Sequence, residues 1–353
     1  MLPMRKTSLM PNFTEDPIYE IDLQDMRTIY DVYERQLAIK IEDYCNRKKR
    51  LHAALVPVTV LLRIIIELTE QAKQLPNIIQ LTSPITIVGD LHGHLPDLLK
   101  IIQMNGSPGT KKYLFLGDTI NQGQFSLETI SLILVMKILW PENVFLIRGS
   151  AEFRDVCKVE GFFREILSSY DNQRLIMPFA QLFANLPIAA TIDNKFFCVN
   201  GGIGPNIPDL DAIGAIRKPI HTFNSLPLIE LLLSDPTDAL PMFLPISRGL
   251  GNLFGNEATE KFLKTTKFSM IIRSHSVVEE GCKIMFNDRL ISVFSASKFC
   301  NQSKNSGGYV VINNGQPQCF SFPPLEFLTR DDVLTIPSTS ETSYVLPSQR
   351  SFL

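Results

Sequence analysis

No stretch of this 353-residue chain is apolar for long enough to cross a bilayer. The richest one, residues 58–68, is short and carries Arg63 and Glu67. The opening, MLPMRKTSLMPNF, holds no apolar run of signal-peptide length. Charge of one sign is missing too. The net charge of −2 argues against a general role on nucleic acid or on a membrane surface. Cysteine is sparse and unpatterned: residues 45, 157, 198, 282, 300 and 319 show no CxxC spacing. Free buried thiols in a reducing compartment fit that scatter better than disulfides. The expectation is a cytoplasmic protein, with the nucleus left open. What is present is apolar mass, 45% of residues, enough for one large domain or two ordinary ones.

Four stretches divide the chain. Residues 1–21 are polar and proline-containing, a loose tail. Residues 22–50 read as a helical extension, because Met26, Ile29, Tyr30, Tyr33, Leu37, Ile41 and Tyr44 fall at steps of three and four. The basic cluster Arg47-Lys48-Lys49-Arg50 suits the C-terminus of that helix. Residues 51–330 form the main domain, with a second helix over 57–74. Residues 331–353 read as a Ser/Thr/Pro-rich C-terminal tail, disordered over 337–353.

Within the main domain, short apolar runs at 85–88, 113–116 and 144–147 each end in Gly-Asp or Arg-Gly. Helical stretches at 95–103 and 126–140 separate them, which is the rhythm of an α/β sheet. Open α/β sheets place their sites just past such strand ends. Further strands are expected at 271–273, 291–294, 309–312 and 318–322, in a second sheet.

Asp90 and His92 alternate in Gly89-Asp90-Leu91-His92-Gly93, at the end of the first of these runs. A carboxylate and an imidazole converging on one turn make a divalent-metal corner. On its own such a pair is as readily a surface turn. Asp118 follows 28 residues later, again directly after an apolar run and a glycine, and His275 follows a fourth run. Two carboxylates and two imidazoles then stand at strand ends. His52 and His221 have no such context, and His94 reads as a neighbour of the site or a surface group.

Longer segments carry a resemblance. Tyr113-Leu-Phe-Leu-Gly-Asp118, Ser126-Leu-Glu-Thr-Ile130, Trp140-Pro-Glu-Asn143, Leu186-Pro-Ile-Ala-Ala190 and Val293-Phe-Ser-Ala296 are similar, nearly letter for letter, to segments of the type-1 serine/threonine protein phosphatase catalytic subunits. The likeness runs from about residue 51 to residue 322. It implies an α/β fold, a metallophosphoesterase-like central β-sandwich of two mixed sheets flanked by helices. It also implies two divalent ions, manganese or else iron or zinc, and a hydroxide between them that attacks phosphorus. A histidine paired with an aspartate then protonates the leaving oxygen.

Carried over residue by residue, the resemblance makes Asp90 and His92 ligands of the first ion and Asp118 the bridge. His275 becomes a ligand of the second ion, and Arg248 a phosphate-binding group. Six positions depart. Ser150 and Asn200 stand where an asparagine and a histidine should ligate the second ion, so both are weak ligands. Ala151 replaces the general-acid histidine, and Asn121 the aspartate that orients it. Gln122 replaces a phosphate-binding arginine, removing a charged fork. Phe299 replaces a tyrosine. Glu152 reads as a structural carboxylate rather than a substitute acid.

Three functions follow as expectations. The first is a pseudophosphatase that binds regulatory or inhibitor proteins of phosphatases. In the family these dock as short peptides in an apolar groove, whose positions here include Phe196, Met270 and Ile284; the same residues fit ordinary core equally well. Ser269 and Asn314 replace acidic groups of that groove. The second is a weak metal-dependent phosphomonoesterase acting on phosphoserine or phosphothreonine. The third is a module that holds phosphoproteins through Arg248 and a cation.

Overall fold

The computed structural model describes residues 21–247 and 249–337. In chain order its strands are β1 Leu51–Leu55, β2 Ile78–Leu81, β3 Ile85–Val88, β4 Tyr113–Phe115, β5 Val144–Leu146, β6 Ala189–Ile192, β7 Phe196–Val199, β8 Asp235–Pro236, β9 Phe243–Pro245, β10 Asn252–Phe254, β11 Met270–Arg273, β12 Cys282–Met285, β13 Leu290–Val293, β14 Gly307–Asn313, β15 Gln316–Phe322 and β16 Val333–Pro337. The helices used below are α1 Leu23–Glu34, α2 Ile41–Cys45, α3 Val58–Gln74, α4 Leu95–Asn105, α5 Ser126–Leu139, α6 Arg154–Glu160, α7 Phe162–Tyr170 and α8 Ile176–Asn185.

Two mixed sheets face each other. One has the order β15-β14-β3-β4-β5, the other β12-β13-β11-β7-β6-β2. Strand alternation explains the layering. In β3, Ile87 points into the space between the sheets while Val88 points to the helices outside. In β4, Leu114 faces inward and Tyr113 and Phe115 outward. In β7, Cys198 faces inward and Phe197 and Val199 outward. Both faces of these strands are covered, which is why they read as unbroken apolar runs. The expected α/β sandwich is therefore present. One assignment changes: β14 and β15 do not belong to a second sheet but extend the first, β14 running antiparallel to β3.

The N-terminal region departs from the single helix expected over 22–50. α1 ends at Glu34, a 3-10 turn spans Arg35–Ala38, and the chain is extended at Ile39 before α2. No glycine or proline marks the break. Its cause lies in α4, where Gln103 donates to the carbonyls of Leu37 and Ile39 at 2.8 and 2.7 Å and accepts from Ile41 N at 3.3 Å. A distant amide thus takes the polar groups that a continuous helix would pair internally. The apolar steps survive the break because both helices face one core, into which Met26, Ile29, Tyr30, Tyr33, Ile41 and Tyr44 are buried. The basic cluster is not a helix end. Arg47 has φ 60° in the turn after α2 and holds Asp332 by both carboxylate oxygens, at 2.7 and 2.9 Å.

Tyr33 fixes this region to β1. Its hydroxyl accepts from the buried Ala54 N at 3.1 Å. Tyr33→Phe keeps the ring and leaves that donor unmatched. A loss of about 1–3 kcal/mol is expected, read as a lower urea midpoint at unchanged m-value.

The stretch from residue 331 begins in order. β16 pairs with β1 in parallel along its whole length, from Leu51↔Val333 to Leu55↔Pro337. The tails at 1–20 and 338–353 lie outside the described residues. Among the described residues, no helix is long and apolar enough to cross a membrane.

Candidate metal centre

The candidate site sits at the C-terminal ends of the parallel strands of both sheets. Asp90 follows β3, Asp118 follows β4, Ser150 and Ala151 follow β5, Asn200 follows β7, and His275 follows β11. The turns that carry them are tight. His92, Asp118 and His275 are non-glycine residues with φ of 42, 49 and 76°. Asn121 and Gln122 share that left-handed region at 71 and 65°. Strained backbone of this kind concentrates where side chains must be aimed at a site. Gly149 is required by close approach, since a Cβ there would lie 2.3 Å from Asp118 Oδ1.

Hydrogen bonds from neighbouring loops hold the turns. Asp90 N donates to Ser274 Oγ at 2.8 Å, and Gly89 N to Ser295 Oγ at 2.9 Å. The amides of Leu91 and His92 both bond Asp118 O, at 3.0 and 2.8 Å, tying the two turns together. Glu152 is the central brace. Its carboxylate accepts from the backbone of Asp118, Thr119 and Gly149 at 2.8–3.0 Å and from the Thr119 hydroxyl at 2.9 Å. Burial and the Asp118 charge push its carboxyl up to about 7. All of its acceptor capacity is used inside the protein, so it is the structural carboxylate expected.

Asp90, Asp118 and His275 converge, with one ligand atom of each lying within 4.8 Å of the others. His92 Nε2 lies 3.3 Å from Asp90 Oδ2, and His275 Nδ1 lies 3.5 Å from Asp118 Oδ2. Asp90 and Asp118 are fully buried. Burial works to raise Asp118, but the His275 bond, the charge of both imidazoles and the Ala151 N–H hold it down at about 2. Burial and the Asp118 charge raise Asp90, against the pull of His92. Burial also disfavours a charged His92, yet the bond to Asp90, the charges of Asp90 and Asp118 and the Ile120 carbonyl together outweigh it and lift the imidazole to about 9. Two buried carboxylates this close favour any cation between them.

A divalent ion fits the first part of this set. Two carboxylates and imidazole nitrogen suit manganese, iron or zinc. Asn200 Oδ1 is buried and receives no hydrogen-bond donor, and Asp90 Oδ2, also buried, faces only the His92 imidazole. The second set is poorer. Ser150 Oγ donates to Asp118 Oδ2 at 3.0 Å, and Asn200 Nδ2 donates to Asp90 Oδ1 at 3.2 Å. Both residues are near the centre, but both point donors at its carboxylates.

The remaining expected positions are placed as follows. Ala151 is buried, and its N–H donates to Asp118 Oδ1 at 2.6 Å. Asn121 Nδ2 donates to Ala151 O at 3.1 Å while its Oδ1 accepts from Phe162 N at 3.2 Å. Gln122 reaches Glu160 at 3.3 Å. The Phe299 ring packs 5.1 Å from His92 and 6.0 Å from His94. His94 is buried and paired with Asp97 at 3.3 Å, a neighbour of the site rather than a ligand. Arg248 lies outside the described residues. Ser274 anchors the first turn with no motif signal beyond its place after an apolar strand, whereas Ser295 lies within the segment Val293-Phe-Ser-Ala296.

Comparisons with known proteins agree with this geometry. The calcineurin-like phosphoesterase family matches residues 83–279, more than half of the chain. A Candida albicans protein named serine/threonine-protein phosphatase PP2A-like PPG1 is 38% identical over 277 residues, 76% of this chain and 66% of that one. The Caenorhabditis elegans serine/threonine-protein phosphatase 6 catalytic subunit is 35% identical, over 70% of this chain and 76% of its own. Among solved structures, a Saccharomyces cerevisiae protein serine/threonine phosphatase with similarity to human phosphatase PP5 superposes with a TM-score of 0.71 at 30% identity, covering 77% of this chain and 91% of that one. The match spans the strands, turns and aspartates of the centre together, and the chain belongs to the calcineurin-like phosphoesterase family as a serine/threonine phosphatase-like member.

Proposed function

We propose that this protein is a pseudophosphatase: a phosphatase-like domain with severely reduced turnover that acts by binding the regulatory or inhibitor proteins of phosphatases. The observation that carries this reading is the pair Ala151 and Asn121. The first has no proton to give. The second spends its amide on Ala151 O and Phe162 N. No group in this pair can protonate a leaving serine or threonine oxygen, and a missing general acid costs roughly 10²–10⁴-fold in rate. The type-1 likeness read from the sequence belongs to this proposal as well; the relatives named above carry 2A-like and type-6 names.

The second reading, a slow metal-dependent phosphomonoesterase, is favoured by the convergence of Asp90, Asp118 and His275. A bound divalent ion, manganese first among the candidates, would supply Lewis-acid polarisation of the phosphate. The protein's own part is to hold that ion between two buried carboxylates and to orient them through Glu152 and the serine anchors. An aryl phosphate, whose leaving group needs no proton, is the substrate on which residual activity appears. Purified protein with manganese is expected to exceed the Asp118→Asn variant in both aryl phosphate turnover and metal-dependent thermal shift. At free metal a hundredfold above Kd the shift corresponds to about 2.7 kcal/mol. Equal thermal shifts in the two proteins would refute metal binding at this centre. A shift without turnover would leave the pseudophosphatase reading standing alone. The third reading, phosphoprotein capture, requires phosphopeptide binding that disappears in Arg248→Ala.

Partner docking rests on a narrower base than the family groove. Phe196 and Met270 are 3% and 8% exposed and belong to the interior between the sheets, whereas Ile284 on the edge strand β12 is 52% exposed. One apolar side chain at the surface in place of three supports weaker capture of short docking peptides. Titration against this protein and against an active relative is expected to give a larger Kd here; equal affinities would count against it.

A further inference from the structure

Cys282 and Cys319 lie on different sheets, yet they meet. Cys282 opens β12, the edge strand of the six-stranded sheet, and Cys319 lies in β15, the edge strand of the five-stranded one. Both thiols are free, both are partly exposed, and both pack on the interior between the sheets. The Cys282 thiol is close enough to interact with the Cys319 thiol, each shifting the other's acidity. It also lies 3.6 Å from Tyr309 O and 3.7 Å from Phe320 O, on the two strands beside it. It stands directly over Gly308, where a Cβ would come within 2.9 Å of the sulfur. The glycine leaves the room that the Cys282 sulfur occupies beside β14.

We propose that Cys282 and Cys319 form a reversible disulfide on exposure to hydrogen peroxide, closing the open side of the sandwich where the two edge strands run together. The Cys319 sulfur, as thiolate, attacks the peroxide oxygen and becomes a sulfenic acid, the other oxygen leaving as water once protonated. The Cys282 sulfur then attacks the sulfenic sulfur, forming the S–S bond and releasing a second water. Two thiols and one peroxide give one disulfide and two waters, so the balance closes. The asymmetry of the pair sets this order. The bond received from Cys282 lowers the Cys319 thiol, while Cys282 is raised by the same bond and by burial. Cys45, Cys157, Cys198 and Cys300 are all raised, chiefly by burial. Among the described cysteines Cys319 alone is biased toward the reactive form.

The bridge would join strands that also carry Ile284 and Phe320, 52% and 39% exposed. It would hold that edge rigid without touching the metal centre, so its test does not depend on activity at that centre. The test treats the full chain with hydrogen peroxide at increasing ratio, blocks free thiols by alkylation, and digests it without reductant. The expected result is a linked peptide pair containing Cys282 and Cys319, an intact mass lower by about 2 Da, and reversal by a dithiol. Cys282→Ser and Cys319→Ser each abolish the linked pair. Should a variant fail to fold, the peptide map of the unaltered chain still decides. Full alkylation of both residues after oxidation has already reached Cys300, or a linked pair containing another cysteine, overturns the proposal.

Discussion

The combined change Asn121→Asp, Ser150→Asn and Ala151→His is expected to raise phosphatase turnover by about 10²–10⁴-fold, a barrier lowered by about 2.7–5.4 kcal/mol. Each substitution has a separate physical role. A histidine at 151 supplies a proton donor beside the carboxylates, since Ala151 N already bonds Asp118 Oδ1 at 2.6 Å. An aspartate at 121 keeps the acceptor for Phe162 N and frees an oxygen to orient the imidazole. An asparagine at 150 offers an amide oxygen where Ser150 now donates to Asp118. The single changes are expected to give far less, because groups that act as a unit are not additive. The gain is larger on a phosphoserine peptide than on an aryl phosphate, since only the former needs leaving-group protonation. A new basic limb in the pH profile is the signature of the added imidazole. The variant's thermal unfolding must first match the parent's, because residue 151 is buried. A folded, metal-binding triple variant with parental rates on both substrates would mean that Asn200, not the lost acid, limits the site. The reading built on Ala151 would then fail.

Much of this centre was legible in the sequence because its residues are local to strand ends. Asp90, Asp118 and His275 each follow an apolar run, and the run and the turn are written in consecutive letters. The residues at 121, 150, 151 and 200 could be located for the same reason. The parts that were not legible are set by distant partners. Nothing near residue 39 announces a break, because the amide that causes it belongs to Gln103. Nothing in the letters of β7 or β11 tells which face looks inward. Both faces are buried, so period two carries no polarity, and Phe196 and Met270 could be read as groove or core. The domain boundary at 330 leaves residues 331–337 in the tail, and pairing with β1 makes a strand of 333–337. Glu152 was read as structural, but its role as acceptor for three backbone amides could not be seen without the turns it braces.

The other large effect expected lies far from the centre, at Arg330. Its guanidinium reaches Glu128 with one nitrogen and Glu165 with another, above the Phe125 ring at 5.2 Å. Glu128 is buried, and Glu165 caps the start of α5 by accepting from Ser126 N at 3.2 Å and Leu127 N at 2.7 Å. Arg330→Met keeps most of the stem's volume and leaves the buried Glu128 and the largely buried Glu165 carboxylates facing each other without a cation. Breaking a buried pair from one side costs about 3–5 kcal/mol, and the lower end, about 3 kcal/mol, is expected because solvent reaches the arginine. The loss depends on pH. Burial and the Glu128 charge already lift Glu165 to about 8 against the pull of Arg330. A folded carboxyl that titrates above its unfolded value binds more protons in the native state. Stability therefore falls as pH rises from the unfolded pKa through about 8, and removing Arg330 steepens that fall. Urea midpoints at pH 5 and pH 8.5 measure both effects, and the gap between variant and parent should be wider at the higher pH. A gap under about 0.5 kcal/mol at pH 8.5 would be no more than an ordinary surface substitution, and would show that the carboxylates find other partners. The consequence reaches the centre through one short relay. Ser126, whose N–H Glu165 holds, accepts Asn121 N at 3.0 Å through its hydroxyl. A frayed start of α5 releases the turn that carries Asn121 and Gln122. In Arg330→Met, manganese affinity should therefore weaken at high pH more than at low pH, although residue 330 touches none of the proposed ligands.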